Sequence, residues 1–440
     1  MTTFYTADQV FVEGRFAERA FLGVDGDTIV SSGTQAPPAG NDVVDFGRSA
    51  IFPGGVNTHT HTYLSWLRGT IDGLPFTEWL ARVYAAVDTF DEEAAYLGAA
   101  LSFGEMLASG TTTVADFFYL NGRGNGRIRE AIRAATDLGI RLAMGRTFLD
   151  AEWGGDATRE TVDVASARFR ELWSDYEGDP LVQLGPAPHS LYGASREMIE
   201  AAFSLAEEYD TLWYLHVADS RSSAARVREQ FGSSTVHVLD SWGVLTGRLV
   251  SVHGLWLDDD ELDLLAARGG RISYNPASNM FFGERILDVT DLWRRGLLVG
   301  LATDGAASNN SLDLLADVRL ASLAQKVRAG DPAVVTADDM VRLMTADGGR
   351  VLNLPVGRLE PGFKADFVVF DTLDFSLQPA AGLTSNIVHA ASDRAVQRVF
   401  CGGREVVRDG RLVLVDHDAL RERIAGYALR LSADAPVRSR

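Results

Sequence analysis

Only one cysteine, Cys401, occurs in the chain, which rules out an intramolecular disulfide and any metal site built from several thiolates. A metal ion here would need histidine and carboxylate ligands. Lysine is almost as scarce: Lys326 and Lys364 are the only two, and arginine supplies the rest of the 41 basic residues. Positive charge is short overall, with 60 acidic residues giving a formal net charge of −19. That balance disfavours nucleic acid and anionic membranes as partners, since both demand basic surfaces, and leaves a small molecule. No run approaches the roughly 20 apolar residues of a membrane helix. The opening MTTFYTADQV lacks the basic and apolar regions of a signal peptide, so a cytoplasmic protein is expected.

What is present is an ordinary globular composition, 46% hydrophobic and 23% charged, over 440 residues. Such a length suits a barrel of about 250 to 300 residues plus a smaller unit. Residues 1–52 read as short strands around Gly, Asp and Asn turns, in VFVEGRF, AFLGVDGDTIV and NDVVDFG. Residues 53–355 alternate apolar strand-like runs with amphipathic helical runs, the pattern of βα units on a parallel sheet. Eight strand ends are predicted, near Thr58, Asp116, Arg146, Pro186, His216, His253, Asn275 and Thr303. Residues 356–440 return to strands (ADFVVFD, AVQRVFCGG, REVVRDG, RLVLV) and finish in a helical segment, DALRERIAGYALRLSA. The expected fold is α/β, a (β/α)8 TIM-like barrel with a small β-sandwich built from both chain ends.

Thr58-His59-Thr60-His61-Thr62 follows the apolar run AIFPGGV. On a strand, residues i and i+2 face one side, so His59 and His61 present two imidazoles to one point, a spacing that suits zinc. Alone, H-x-H is a weak signal. Placement of the other histidines strengthens it: His216 closes TLWYLH, His253 closes RLVSVH, His189 lies just beyond LVQLGPAP, and Asp304 follows GLLVGLAT. In a (β/α)8 barrel the C-terminal strand ends share one active-site face, which brings these residues together. Neither lysine falls on that face, which argues against a pair of metals bridged by a carboxylated lysine. One metal ion per chain is expected, held by His59, His61, His216 and Asp304, with zinc first and Fe2+ or Mn2+ acceptable.

In order, PGGVNTHTHTYLSWLRGTIDGLPFTEWL, GPAPHSLYG, LHVADS, SVHGLWLDDDEL, SYNPASNM and LATDGAASNNSLD resemble the amidohydrolase superfamily, and most closely its branch of aminohydrolases acting on triazines, adenosine derivatives and related rings. GRLEPGFKADFVVFD is similar to the start of that branch's C-terminal sandwich half. The resemblance implies that His59, His61, His216 and Asp304 are metal ligands, that Asp304 also takes the proton of the attacking water, and that His253 orients or polarises that water. It further implies a substrate contact for His189 and a homodimer.

One departure stands out. The family's H-x-x-E places a glutamate as proton shuttle, whereas this chain reads His216-Val217-Ala218-Asp219. Aspartate can do the same acid–base work but is one methylene shorter; its other reading is a cap for the helix starting near Ser220. Adenosine-type members carry a ribose-binding glutamate after the first strand, where this chain reads Val87, so a sugar-bearing substrate is disfavoured. Trp66, Phe76, Trp79, Phe117, Phe118 and Phe281 flank the predicted mouth, and Trp66 is the candidate for stacking on a planar substrate ring. The expected reaction is hydrolytic deamination of a small nitrogen heterocycle. Alternatives are hydrolysis of a cyclic amide or of a chloro- or alkylamino-substituted ring by the same site, and, more distantly, a ligand-binding protein whose catalysis has decayed.

Overall fold

Strands that must be buried on both faces are written as near-continuous apolar runs, and TTTVADFF and RLAMGRTF are buried along their whole length. The computed structural model describes residues 1–38 and 42–434. Four such strands, β1 (Gly55–Thr60), β2 (Thr111–Phe118), β3 (Arg141–Phe148) and β4 (Val182–Pro188), form one parallel sheet in that order. A second parallel sheet holds β5 (Trp213–Val217), β6 (Leu249–His253), β7 (Arg271–Tyr274) and β8 (Leu298–Leu301). All eight ends fall within two residues of the predicted positions. Hydrogen bonds join the two sheets at both edges: His216 N–H donates to His189 O at 3.2 Å, and Asp304 N–H to His59 O at 3.1 Å. Deeper between β1 and β8, the Thr58 hydroxyl donates to Leu301 O at 3.0 Å.

Helices fill the connections, as the three- and four-residue spacing of apolar positions requires. Glu92–Ala108 starts on Asp91, whose carboxylate accepts from Ala94 N–H at 2.8 Å. Lys326 lies on the helix Leu314–Ala329, after β8 and away from the strand ends. The terminal helix His417–Asp434 packs on the outside, where the Tyr427 hydroxyl donates to Asp91 at 3.0 Å. Among the described residues no helix is long and apolar enough to cross a membrane.

Both chain ends contribute to a separate β region. Ser49–Pro53 pairs antiparallel with Phe367–Asp371, from Phe367 opposite Pro53 to Asp371 opposite Ser49, at the centre of a seven-stranded sheet. A four-stranded sheet holds Thr28–Gly33, Phe21–Asp25, Thr3–Thr6 and Asp42–Asp45. Leu22, Val24 and Ile29 of the small sheet share one buried apolar cluster with Val10, Ile51, Phe367 and Val369 of the large one. Phe367 stacks on Phe400 with ring centroids 4.4 Å apart.

A buried ion pair ties this region to β3. Arg141 Nε donates to Asp366 Oδ2 at 2.9 Å and Nη2 to Oδ1 at 3.1 Å, while Nη1 reaches Pro180 O at 2.7 Å. Gly402 N–H adds a 2.6 Å bond to Asp366. Removing one partner of such a pair leaves the other charged, buried and unpaired. Asp366→Ala is therefore expected to lower unfolding stability by about 3–5 kcal/mol, measured by urea denaturation. A loss under about 1 kcal/mol would show that Arg141 finds water or another acceptor.

Candidate active site

β1 ends in His59-Thr60 and His61 follows in extended conformation, so both imidazoles lie on the same side, with ring centroids 4.6 Å apart. His216 from β5 lies 5.2 Å from the His59 ring and His253 from β6 lies 6.0 Å from it. Asp304 follows β8 by three residues. Its Oδ1 is 3.6 Å from His59 Nε2 and 3.7 Å from His61 Nε2, and its Oδ2 is 4.0 Å from His253 Nε2. Two ligand sets of three therefore share His59: His59 with His216 and His253, and His59 with His61 and Asp304.

The second ring nitrogen decides what the first can do. His61 Nδ1 lies 2.7 Å from Phe117 O, His216 Nδ1 2.8 Å from His189 O, and His253 Nδ1 3.0 Å from Asn279 Oδ1. The carbonyl acceptors at His61 and His216 require a proton on Nδ1, which leaves a lone pair on Nε2, while at His253 Nδ1 the Asn279 oxygen is joined by Asn275 Nδ2 at 3.4 Å. His59 Nε2 is buried and has no hydrogen-bond partner among the described residues. An orphaned acceptor amid converging lone pairs and a carboxylate fits a divalent cation, and the nitrogen–oxygen donor set fits zinc.

Burial pushes the imidazoles of His59, His61 and His216 below their ordinary range, His61 to about 3 and His216 well down. Burial alone would raise the Asp304 carboxyl, but the neighbouring His59, His61 and His253 outweigh it and hold Asp304 well below the carboxylate range. At 3.6 Å, His59 Nε2 and Asp304 Oδ1 are beyond hydrogen-bond reach and share no proton. Asp304 is fixed by two donors, Ser278 Oγ to Oδ2 at 2.7 Å and Gly305 N–H to Oδ1 at 2.6 Å.

His61, His216, His253 and Asp304 of the cluster line one open cleft. His189 lines it, buried, with Nδ1 2.8 Å from Ser190 Oγ and its ring 5.4 Å from that of His216; burial pushes its imidazole down to about 3. Asp219 lines it too, accepting from the Tyr192 hydroxyl at 3.2 Å and from the Ser223 hydroxyl. The helix Arg221–Phe231 is capped by Ser220, whose hydroxyl accepts from Ser223 N–H at 3.1 Å in a reciprocal capping box. Capping therefore does not account for Asp219.

Several sequence expectations are corrected. Trp66 is not in the cleft: its indole N–H donates to Ala94 O at 2.9 Å and its ring lies 5.1 Å from Tyr427, so it packs between the helix Glu92–Ala108 and the terminal helix. Its place on a 3-10 turn, Thr62–Leu67, rotates it away from the mouth. Phe117 and Phe118 are buried on β2, Phe117 against His216 at 4.5 Å and Phe118 against Tyr63 at 5.7 Å, and neither lines the cleft. Phe76 and Trp79 do line it, joined by Phe282 rather than Phe281. Val87, the final residue of the helix Phe76–Val87, is buried and absent from the cleft wall, so its identity carries no information about a sugar. Ser278, Asn279, Tyr119, Tyr192 and Glu284 reach the cleft without having been singled out. For Ser278 and Asn279 the signal was available in SYNPASNM, where Pro276 starts a helix directly after β7.

Comparison with known proteins places this geometry. A model of the amidohydrolase family matches residues 50–406. A 5'-deoxyadenosine deaminase from Methanothermobacter thermautotrophicus is 32% identical over 429 residues, covering 97% of this chain and 98% of the relative. A 5-methylthioadenosine/S-adenosylhomocysteine deaminase from Syntrophus aciditrophicus is 32% identical over 94% of this chain and 93% of its own length. Among solved structures, an adenosine deaminase from Xanthomonas campestris with bound zinc superposes with a TM-score of 0.90 at 27% identity, covering 98% of each chain. Given that match and relatives near one-third identical along almost the whole length, the chain belongs to the amidohydrolase family.

Proposed function

We propose that this enzyme is a zinc-dependent aminohydrolase that replaces the ring amino group of an adenosine-type heterocycle by oxygen and releases ammonia. One observation carries the reading: imidazole nitrogens, that of His59 without a hydrogen-bond partner among the described residues, converge with Asp304 at a cleft that is also lined by a second carboxylate, Asp219. Relatives named as deaminases of adenosine derivatives give the substrate class.

His59, His61, His216 and Asp304 would hold the metal. When bound, zinc supplies the Lewis acidity that makes water a competent nucleophile near neutral pH. His253, its ring anchored by Asn279, orients the attacking water. Asp304 Oδ2, steadied by Ser278, accepts the water's proton. His189 contacts the ring from the side wall. Asp219 passes protons to a ring nitrogen and then to the departing amine, so that the new carbon–oxygen bond forms, the carbon–nitrogen bond breaks and ammonia leaves.

The same reading extends to architecture and setting. The two parallel sheets are halves of one (β/α)8 barrel over residues 53–355. Segments 1–52 and 356–440 form a β-sandwich beside it, supported by the shared apolar core of the two terminal sheets. The enzyme works in the cytoplasm as a homodimer. Exposed Leu320, Leu323 and Val327 along one helix are consistent with a self-contact, and light scattering of the purified protein checks it.

Purified protein should contain about one zinc per chain by elemental analysis, and His216→Ala or Asp304→Ala should lose it. Two tightly held metals per chain would contradict the single-ion site. His253→Asn should keep most of the zinc while losing turnover; zinc loss equal to that of His216→Ala would make His253 a ligand.

Asp219→Asn should retain fold and zinc while ammonia release falls by about 10²–10⁴-fold, the usual worth of general acid–base catalysis. Turnover near that of the unaltered enzyme would remove the shuttle assignment. Asp219→Glu separates chemistry from reach: activity comparable to or above that of the unaltered enzyme means the cleft still fits the longer side chain.

A further inference from the structure

Tyr119 directly follows β2, is buried and lines the cleft. Its hydroxyl donates to His216 Nε2 at 3.5 Å, the outer limit of a hydrogen bond, and has no other partner among the described residues. The phenol oxygen therefore sits beside the nitrogen that a metal at this site requires. A lone pair given to a metal cannot also accept from a hydroxyl, so the loaded site leaves Tyr119 without its acceptor.

The surroundings offer no replacement. The Tyr119 ring is wedged between His61 at 4.8 Å, His189 at 5.0 Å, Tyr63 and Phe117 at 5.7 Å and Tyr84 at 6.4 Å, which leaves only the hydroxyl torsion free. The hydroxyls of Tyr63 and Tyr84 are buried and themselves lack hydrogen-bond partners among the described residues, and that of Tyr192 is given to Asp219. Both Asp304 oxygens already accept, Oδ2 from Ser278 and Oδ1 from Gly305 N–H. Burial first, then the neighbouring tyrosines and Asp304, push the phenol well above its ordinary value, so the hydroxyl stays a donor. A buried donor without an acceptor is costly, and what faces this one is the cleft.

We infer that Tyr119 is a substrate-contacting residue that donates a hydrogen bond to a second ring nitrogen of the heterocycle, distinct from the one that Asp219 serves; this rests on the deaminase reading above. The two nitrogens must differ, because one that has taken a proton from Asp219 has no lone pair left for a hydroxyl. Adenosine-type rings carry several such acceptors in the ring plane. A ring without a nitrogen at that place strands the hydroxyl, so Tyr119 selects among aminated rings by where their nitrogens lie.

The test pairs Tyr119→Phe with aminopurine nucleosides in which one ring nitrogen at a time is replaced by C–H. It measures kcat/KM for ammonia release by the zinc-loaded full chain and, independently of turnover, dissociation constants of the deaminated products by calorimetry. The unaltered enzyme should lose about tenfold or more on one analogue besides the one lacking the nitrogen served by Asp219. Tyr119→Phe should keep its zinc, lose about as much on the parent nucleoside, and no longer discriminate against that analogue, in turnover and in product binding alike. A hydroxyl that only packs or holds water predicts equal losses on every ring, or none. Either pattern overturns the inference, as does loss of zinc from Tyr119→Phe, which would make the hydroxyl a support for His216. An unaltered enzyme that treats all the other analogues like the parent overturns it too, whether or not the variant folds. If no aminopurine releases ammonia while another aminated ring does, the adenosine reading fails alone. The same comparison on that ring and its analogues lacking one ring nitrogen then decides the role of Tyr119.

Discussion

A neutral imidazole can offer a metal only the nitrogen that carries no proton, so the site depends on what holds the other one. Here the holders belong mostly to the backbone of the fold. Phe117 O sits near the end of β2 and His189 O just past β4, and each fixes a histidine from a neighbouring strand. Strand register thereby becomes ring tautomer. A slip of one residue would turn His216 to the opposite face and take its Nδ1 from His189 O. His253 instead relies on side chains, Asn279 at 3.0 Å and Asn275 at 3.4 Å, which opens it to tuning by substitution.

The same face carries backbone strain. Ala218, His253 and Asp304 have φ of 47°, 71° and 60°, a region that non-glycine residues enter at a cost of about 1–3 kcal/mol each. All three lie where a strand leaves the sheet. Neighbouring bonds over-determine them: Gly254 N–H donates to Val217 O at 2.9 Å, Trp256 N–H to Ala218 O at 3.0 Å, and the Thr60 hydroxyl to Asp304 O at 2.8 Å. The left-handed turn at Ala218 leads into Asp219, which lines the cleft, and those at His253 and Asp304 lead into Gly254 and Gly305. Stability is given up where the chain must bend to converge on one point.

Legibility in the sequence followed how local the determining physics is. The strand ends could be read because burial on both faces writes apolar runs, and the histidines could be placed because each ends such a run. Trp66 was misplaced because a 3-10 turn, not a strand or α-helix, carries it, and its partner Tyr427 lies at the far end of the chain. Phe281 and Phe282 differ by one position, about 100° on a helix, at the end of a helix whose phase the sequence does not announce. Val87 was assigned a pocket position by alignment with a pattern, and burial beneath its own helix removes that role. Glu284 was invisible for a related reason: an acidic residue after glycine in a polar turn looks like solvent exposure until Trp256 and Arg221 are seen to hold it.

Asp219 shows how a departure from a family pattern can be built into a structure. Both carboxylate oxygens are occupied, Oδ2 by the Tyr192 hydroxyl and Oδ1 by the Ser223 hydroxyl. Ser223 also closes the capping box with Ser220, so its own position is fixed by the helix start. A glutamate on the same backbone would carry its carboxylate one methylene further into the cleft and would have to release at least one of these hydroxyls. The loss of reach is of order 1 Å, a distance that matters for proton transfer. Tyr192 and Ser223 are therefore matched to the shorter side chain. Phe76, Trp79 and Phe282 line the same cleft, so the length of the Asp219 side chain and the shape of that apolar wall together set the space left for a ligand.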